Sequence, residues 1–279
     1  MSSAILHVVA TPIGNLDDIT LRALRVLAEV DVIAAEDTRH TRVLLSHYDI
    51  DTPMLALHEH NEDKAAPKLV ARLENGQAIA LVSDAGTPLL SDPGFRLVRA
   101  AAEAGITIST VPGPSAITAA LSICGIATDR FTFEGFLPQK QSARIGLLSA
   151  LQDEPRTVIL FESSHRIVAS LQDMETVLGS GREASICREM TKQFETVLRG
   201  NLADLRRRLE EDPNQRKGEF VIVLSGGGVD YPAALGKAME LGHALQEYLP
   251  ISQAARVAAR VCGVSRRELY DHLDQEKGL

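Results

Sequence analysis

Short apolar segments alternate with helical patterns through the first 111 residues, and this alternation is what most limits the possible fold. Apolar runs of strand length occupy residues 5–10, 32–35, 78–82 and 106–111. Between them lie a helix that begins after the capping residue Thr20 and helical patterns over residues 64–73 and 95–104. Strands that alternate with helices predict a mostly parallel sheet covered by helices on both faces.

The pattern changes at the Pro-Gly-Pro-Ser segment of residues 112–115, where a helix over residues 116–122 begins. We therefore predict an N-terminal α/β domain over residues 1–114 and a second α/β domain over residues 115–228. In the second domain we expect a helix at 202–210 and three strands, at 157–161, 184–188 and 220–224. The glycines at 226–228 predict a flexible joint, and residues 232–279 have the apolar pattern of a small helical module.

Cysteine usage and hydropathy predict a soluble, cytoplasmic protein. The three cysteines are far apart and form no CxxC pair, which favours reduced thiols over disulfides or a zinc site. The sequence shows no signal peptide, and no run of about eighteen apolar residues that would cross a membrane. We therefore expect no metal and no membrane partner.

The charge is unevenly distributed. Residues 1–139 carry ten Lys and Arg against seventeen Asp and Glu, which is most of the net charge of −8. An acidic chain has no overall field that attracts phosphate, and 4% aromatic residues without Trp provide few stacking platforms. If nucleic acid is the substrate, local basic clusters must bind it.

Three loops at the carboxyl ends of predicted strands have the composition of a ligand pocket: residues 11–15, 83–94 and 111–116. None is a GxGxxG element, and no Walker lysine follows, so neither a dinucleotide nor a nucleoside triphosphate is favoured. Gly, Pro, Ser and Asp also populate ordinary loops. Three such loops together suit a cofactor with a carboxylate, an amine and a sulfonium. The candidate cofactor-binding residues in the first two loops are Pro12, Gly14, Ser83, Asp84, Gly86, Thr87 and Pro88.

Longer strings resemble the tetrapyrrole methylase superfamily, in its branch of small-subunit (16S) ribosomal RNA cytidine 2′-O-methyltransferases. The resemblance runs in order from Ala4 to the C-terminus. The strings that carry it are residues 11–20, 36–45, 58–62, 83–94, 112–116, 161–166, 188–192 and 218–221.

The resemblance implies that S-adenosylmethionine binds in a cleft between two α/β domains, that the substrate is ribosomal RNA of the small subunit, and that the protein is a homodimer. Gly86-Thr87-Pro88 corresponds to the superfamily's Gly-Asp-Pro, with Thr in place of Asp, so Asp84 is an alternative source of the carboxylate. Ser115 and Ala116 match positions near the cofactor, and Phe161 matches an adenine-side position.

Methyl transfer to a hydroxyl needs a proton acceptor, and the candidates are Asp37, His60 and Glu62. Arg39 has the planar fork that suits a substrate phosphate. Each has another interpretation: Asp37 is also placed to cap a helix or pair with Arg39, and the His58-Glu59-His60 spacing lacks a third metal ligand nearby. The resemblance does not select among the three bases.

The C-terminal segment resembles a helix-turn-helix, with a turn at Gly263 and a capping box over residues 265–268. Arg256, Arg260, Arg266 and Arg267 are candidate RNA-binding residues. The alternative is a helical cap packed on the second domain. A second basic cluster, residues 206–208, is also consistent with a solvated helix face.

Three functions therefore compete. The first is 2′-O-methylation of a cytidine ribose in ribosomal RNA within the assembled small subunit, where shape and a few arginines provide the grip. The second is methylation of a tetrapyrrole or another small molecule, which predicts several arginines pointing into the cleft. The third is a non-catalytic regulator whose helix-turn-helix binds DNA.

Overall fold

A computed structural model describes residues 4–227 and 231–275; residues 1–3, 228–230 and 276–279 lie outside the described part, and Gly228 of the predicted joint is among them. The strands are Ile5–Val9 (β1), Val32–Ala35 (β2), Met54–Ala56 (β3), Ala78–Val82 (β4), Thr107–Val111 (β5), Phe131–Phe136 (β6), Thr157–Ser163 (β7), Glu183–Arg188 (β8), Thr196–Asn201 (β9) and Glu219–Leu224 (β10). The helices are Leu21–Glu29 (α1), Thr38–His47 (α2), Glu62–Glu74 (α3), Phe95–Glu103 (α4), Ala116–Ile123 (α5), Gln141–Ala150 (α6), Ile167–Leu178 (α7), Leu202–Glu211 (α8), Tyr231–Gln246 (α9), Ile251–Cys262 (α10) and Arg266–Gln275 (α11).

The first sheet has the order β3-β2-β4-β1-β5, and every pairing in it is parallel. Strands β2 and β4 are buried along their whole length, because helices cover both faces. The prediction of a parallel α/β domain is confirmed. The sequence analysis did not predict strand β3. This strand has only three residues, two of them exposed, so its apolar pattern is too short to detect.

Local sequence starts the first two helices. The Thr20 side chain accepts a hydrogen bond from the backbone N–H of Ala23, and Asp37 accepts one from the N–H of Arg39. Helix α1 then buries Ala23, Val26 and Leu27 against the sheet. The predicted cap at Thr20 is thus confirmed.

The second sheet has the order β6-β7-β10-β8-β9, with β6 and β7 parallel and the other pairs antiparallel. The three predicted strands are β7, β8 and β10, and all are confirmed. Strands β6 and β9 form the two edges, where one-sided burial weakens the apolar signal; β6 also has an irregularity in register between Phe133 and Gly135. Helix α5 packs on this sheet through Ile117 and Ala120.

Helices α9, α10 and α11 pack on one another around a core of their own that includes Ala255, Ala258, Leu269 and Leu273. Gly263 ends α10 in the left-handed conformation (φ 70°), and the Ser265 hydroxyl accepts a hydrogen bond from the N–H of Glu268. The predicted helical module and its turn are confirmed. Among the described residues, no helix is long and apolar enough to cross a membrane.

The prediction of a flexible joint is wrong for the first two glycines. The N–H of Gly227 donates to the carbonyl of Glu154, and Gly227 is buried. A Cβ on Gly226 would clash with the carbonyl of Pro155. Because glycine has no side chain, the backbone at 226 and 227 can lie directly against the backbone of residues 152–155, where a larger residue would not fit.

Candidate functional site

The three loops singled out in the sequence leave adjacent strands. Because β4, β1 and β5 are parallel neighbours, their carboxyl ends lie at the same edge of the sheet. Thr11 and Gly86 exchange two backbone hydrogen bonds, of 2.9 and 3.0 Å. The Thr87 hydroxyl donates to the carbonyl of Pro114 at 3.1 Å. The loops therefore form one connected rim.

Beside this rim is a cavity of about 430 Å³, a size that is ordinary for a small-molecule site. Both α/β domains contribute to its wall. The residues that line it are Ile13, Glu36, Asp84, Ala85, Gly86, Thr87, Leu90, Ser91, Asp92, Ser115, Ala116, Ile117, Phe136, Phe161, Glu162, Ser163, Ser164, Met190, Gly218, Glu219, Phe220 and Val221.

Six of the predicted cofactor-binding residues line this cavity: Asp84, Gly86, Thr87, Ser115, Ala116 and Phe161. The other four support the rim from outside the lining. Ser83 is buried, and its carbonyl accepts a hydrogen bond from the Thr11 hydroxyl at 3.2 Å. Pro12 and Ser83 border a smaller depression behind the rim, and Pro88 is buried.

Gly14, the fourth, is where the first loop meets the second domain. A Cβ there would lie 2.6 Å from Cγ of Lys192, so only glycine fits without a shift. The Nζ of Lys192 is bonded at 3.0 Å both to Glu189 and to Glu219. The contact between the loop and this lysine joins the two domains beside the cavity.

Backbone features of the cavity wall suit a polar ligand. Gly86 has a φ of 81°, a conformation that strains other residues, and without a side chain it lets the rim bend sharply beside the cavity. Helix α5 begins at the cavity, and the side chain of its N-cap residue Ser115 makes no capping hydrogen bond. The first N–H groups of this helix have no partner within it and attract a carboxylate or a hydroxyl.

The opposite wall is apolar and aromatic. Phe161 is half-buried and contacts Phe133 and Phe136 edge to face, with ring centroids 4.9 and 5.4 Å away. The next residue, Glu162, is buried and held by Arg166 at 2.7 Å and by the Ser170 hydroxyl at 2.5 Å. Glu162 is therefore a structural anchor that fixes the end of β7.

Two carboxylates of the wall were missed as candidates, although both lie in strings quoted above. Burial, together with the charges of Glu36 and Asp84, raises the pKa of Asp92 to about 6. Burial likewise raises the pKa of Glu36. Sequence gives no sign of this, because the burial arises from segments that are distant in the chain.

Asp37 and Arg39 form a pair at the start of α2. Arg39 Nη2 lies 2.6 Å from a carboxylate oxygen of Asp37, and the Arg39 side chain is 88% exposed. Hydrogen bonds from Arg39 hold the pKa of Asp37 well below its usual range, which makes this carboxylate a weak proton acceptor. In the structure Asp37 caps α2 and pairs with Arg39, as the alternative interpretation of the sequence predicted. Neither residue lines the cavity.

Asp84 joins the α2 region to the cavity wall. It accepts a hydrogen bond from the N–H of Asp37 at 3.0 Å and lies 3.0 Å from Nδ1 of His40. The hydrogen bond to Asp84 raises the pKa of His40. Asp84 is thus oriented on one side by α2 and exposed to the cavity on the other.

The other two predicted bases lie away from the cavity lining. His60 is exposed in the turn before α3. Glu62 is buried, and one of its oxygens accepts hydrogen bonds from the N–H groups of Gly94, Arg96 and Leu97. Its carboxylate therefore caps α4, which is a structural task in place of the predicted proton transfer.

All four arginines predicted to bind RNA are exposed on the helical module: Arg256, Arg260, Arg266 and Arg267. The other basic cluster, residues 206–208, is largely neutralised. Arg206 pairs with Glu175 and Glu210, and Arg207 pairs with Asp204. Within the described part of the chain, no group of three or more His, Cys, Asp or Glu residues is placed to hold a metal ion.

Residues 6–206 match the profile of the tetrapyrrole (corrin/porphyrin) methylases, and residues 233–275 match that of the RsmI C-terminal HTH domain. The chain belongs to the tetrapyrrole methylase family. The two sheets are the fold of this family, and helices α9 to α11 correspond to the RsmI C-terminal HTH domain.

Curated relatives named ribosomal RNA small subunit methyltransferase I are similar over nearly the whole chain. The protein of Xylella fastidiosa (strain Temecula1) is 54% identical, over 95% of this chain and 97% of its own length. That of Escherichia coli O157:H7 is 48% identical, over 98% and 96%.

Solved structures show the same fold at low identity. A cobalt precorrin-4 methyltransferase of cobalamin biosynthesis aligns with a TM-score of 0.60 and 18% identity, over 80% of this chain and 95% of its own. A diphthine synthase aligns with a TM-score of 0.59 and 16% identity, over 79% and 89%. The sheets of this methylase are therefore those of its family.

Proposed function

We propose that this methylase transfers a methyl group from S-adenosylmethionine to the 2′-hydroxyl of a cytidine in small-subunit (16S) ribosomal RNA. The observation that carries the proposal is the similarity, along the whole chain and its C-terminal module, to relatives named ribosomal RNA small subunit methyltransferase I. The cavity at the strand ends is the proposed place of the reaction.

The residues of the cavity fit the donor. Its carboxylate suits the start of α5 at Ser115 and Ala116, and its adenine suits the aromatic wall at Phe161. The amine and the sulfonium are cations, and they suit the acidic side of the wall at Asp84 and Asp92. When bound, the donor supplies an electrophilic methyl group on sulfur; the protein orients the acceptor and excludes water.

The RNA is proposed to dock on the C-terminal module. Four exposed arginines there provide charge that the acidic body lacks, and a structured ribosomal particle adds recognition by shape. Arg39, at the edge of the body, is a further contact for a phosphate. We also propose, on family grounds, a cytoplasmic homodimer; sedimentation of the purified protein reports its oligomeric state.

The small-molecule alternative is less well supported by the cavity. A tetrapyrrole carries several carboxylates, and an enzyme for it needs cationic side chains in the cleft. Among the described residues that line the cavity there is no Lys and no Arg, whereas Glu36, Asp84, Asp92, Glu162 and Glu219 are all acidic. Such a wall repels a polycarboxylate and favours a cationic donor.

The experiment is a transfer assay with S-adenosylmethionine labelled in its methyl group. The acceptors are small ribosomal subunits from a strain without the enzyme, naked 16S RNA, and tetrapyrrole precursors. We expect label in the subunits, at a cytidine 2′-oxygen located by nuclease digestion and mass spectrometry. Label confined to the precursors, or absent from every acceptor, would overturn the proposal.

A Gly86→Val variant tests the cofactor site directly. Valine disfavours a φ of 81°, and its side chain would press on Ile13, whose Cγ2 is already 3.3 Å from the Cβ position. We expect donor binding by calorimetry to be lost while circular dichroism stays native. Unchanged donor affinity in a folded variant would refute the placement.

A further inference from the structure

A loop of the second domain brings an exposed aromatic side chain close to the cavity. Residues 189–195 join β8 to β9, and we call them the β8–β9 loop. Met190, the second residue of this loop, lines the cavity. Phe194, near the other end of the loop, is 64% exposed and lies outside the cavity lining. The loop therefore reaches from the cavity wall to an aromatic ring in solvent.

The backbone of the β8–β9 loop is fixed by hydrogen bonds within it. The N–H of Thr191 donates to the Glu195 carboxylate at 2.6 Å, and the N–H of Lys192 donates to the carbonyl of Glu189 at 3.1 Å. Glu189 and Thr191 have φ values of 49° and 65°, in the left-handed region that few residues other than glycine adopt. Strain that the surrounding structure maintains is concentrated at functional sites in proteins.

The buried Arg188 places Phe194 next to a lysine of another segment. Its Nη1 donates to the carbonyl of Phe194 at 3.1 Å, and its Nε donates to the carbonyl of Lys217 at 2.5 Å. One guanidinium thus holds both backbone segments side by side. The Lys217 side chain is exposed, and its Nζ donates to the amide oxygen of Asn214 at 3.1 Å, a neutral partner that does not cancel its charge.

The two residues are continuous with the cavity wall. Gly218 and Glu219, which follow Lys217, line the cavity. Lys192 ties the β8–β9 loop to this segment, because its Nζ is bonded at 3.0 Å to a carboxylate of each. Phe194 and Lys217 therefore form one surface, the Phe194–Lys217 patch, directly outside the cavity lining.

We propose that the Phe194–Lys217 patch is a nucleotide subsite, in which the ring of Phe194 stacks on an unpaired base of the RNA and Lys217 binds a phosphate beside it. This role rests on the proposed function. A ribose hydroxyl meets a donor inside a cavity only if its nucleotide leaves the stacked RNA, and base faces are then exposed at that point. An aromatic ring covers such a face, and a cation supplies the charge for the phosphate.

The composition of the patch favours a nucleotide over an apolar protein surface. A protein interface that covered Phe194 would also cover the Lys217 ammonium, whose desolvation needs an anionic partner. A nucleotide offers an aromatic face and an anion a few ångströms apart. Because the β8–β9 loop is already fixed, stacking orders only one side chain with two torsions, so little conformational entropy opposes it.

The first test compares three variants of Phe194 in methylation of small subunits. Phe194→Ala should raise the subunit concentration for half-maximal rate by about 5–150-fold, the effect of losing one stacked aromatic ring. Phe194→Trp should restore the wild-type value, whereas Phe194→Leu, which is apolar but has no aromatic face, should resemble the alanine variant. The rate at saturating subunits and the affinity for S-adenosylmethionine by calorimetry should stay unchanged, since the contact is made equally before and during reaction.

Phe131→Ala is the matched control. Phe131 is also an exposed phenylalanine, 43% accessible, and it begins β6, whereas Phe136 at the other end of that strand lines the cavity. We expect wild-type half-saturation from this variant.

The lysine has a test of its own. Lys217→Ala should reduce the slope of log K against log salt for subunit binding by about 1 in magnitude, as the loss of one phosphate contact does. Lys68→Ala is the control, because Lys68 is an exposed lysine of α3 outside the cavity lining. Its slope should be that of the wild type.

A readout independent of catalysis uses the absence of Trp from the chain. Phe194→Trp, labelled biosynthetically with 5-hydroxytryptophan, can be excited at wavelengths that the tryptophans of ribosomal proteins do not absorb. We expect small subunits to quench its emission, because a base stacked on the indole quenches it. Phe131→Trp, labelled in the same way, should keep its emission.

The outcomes separate the two proposals. If the wild type methylates subunits and Phe194→Ala does so with the same half-saturation, or if the labelled Phe194→Trp is not quenched, the subsite is wrong and the function stands. If Phe194→Leu performs as well as Phe194→Trp, or if Phe194→Ala changes the sedimentation coefficient of the protein, the ring packs against protein and the subsite is again wrong. If the wild type labels no subunit RNA, the proposed function itself fails.

Discussion

The Glu62 carboxylate shows how one residue type serves two tasks that sequence does not distinguish. It lies close to a strand end in a polar segment, as a general base would. The structure buries it beneath the first turn of α4, where it accepts hydrogen bonds from three backbone N–H groups. An acidic side chain that bonds to a helix N-terminus stabilises that helix by its charge as well as by its hydrogen bonds.

Glu62→Gln should therefore lower stability and leave chemistry intact. The neutral amide loses the charge-assisted part of the cap, and we expect the free energy of unfolding to fall by about 1–3 kcal/mol. Urea denaturation measures this, with Glu59→Gln as the control because Glu59 is exposed in the same turn. Undiminished stability together with a collapse of the methylation rate would restore Glu62 as a candidate base.

Asp92 is the reverse case. Its string, Ser91-Asp92-Pro93-Gly94, was noted as a loop of unusual composition, but nothing in it distinguishes Asp92 from Asp84. The distinction arises from burial and from two neighbouring carboxylates, one of them at the end of a different strand. Loop composition predicts where a site is, and packing decides which of its carboxylates has a raised pKa.

At the scale of elements, the two helices that follow α9 differ in charge. Helix α10 has Arg256 and Arg260 one turn apart on its exposed side and contains no Asp or Glu. Helix α11 has Arg266 and Arg267 at its start, but it also carries Glu268, Asp271 and Asp274. The net charge of α11 is therefore weakly negative, and α10 offers the better surface for phosphate. This differs from helix-turn-helix proteins that bind DNA, in which the second helix, here α11, contacts the bases.

We accordingly predict that the double variant Arg256→Ala, Arg260→Ala weakens binding to small subunits. Two lost phosphate contacts reduce the slope of log K against log salt by about 2 in magnitude, and donor affinity stays unchanged. Filter binding across a salt series measures both the affinity and the slope. Arg207→Ala is the control, because Arg207 is an exposed arginine already paired with Asp204. Equal slopes for the double variant and the wild type would argue against α10 as the contact.

Elements also mark where sequence patterns become uninformative. Strand β4, buried along all five residues, was predicted with its observed bounds, since a continuous apolar run is a strong signal. Edge strands β6 and β9 have mixed burial, and their residues resemble loop sequence until the neighbouring strand is known. The parallel pairing of β6 with β7, in an otherwise antiparallel sheet, follows from the chain's path through α6 and has no local signature.

At the scale of the whole molecule, the methylase has a body that holds the cavity and a module with a core of its own. All the residues that line the cavity lie between Ile13 and Val221 in the sequence, whereas α9 to α11 enclose a separate apolar cluster. Such a division predicts that donor binding and RNA docking are separable.

Removal of residues 232–279 should leave the body folded and able to bind S-adenosylmethionine with wild-type affinity. Methylation of small subunits should fall to background, because the arginines of the module are lost. Calorimetry and the label-transfer assay measure the two properties on the same preparation. A truncated protein with full transfer activity would exclude the docking role of the module.

Sequence alone determined the parallel first domain, the three loops at its strand ends and the helical module, because these depend on periodicity and turn chemistry within a few neighbouring residues. Only the tertiary structure decided that the glycines at 226 and 227 are packed, that Glu62 is a cap and Asp37 half of an ion pair, and that Asp92 is partly buried in the same cavity wall as Glu36. Burial and the fields of distant charges set these properties, and both exist only once segments far apart in the chain have come together.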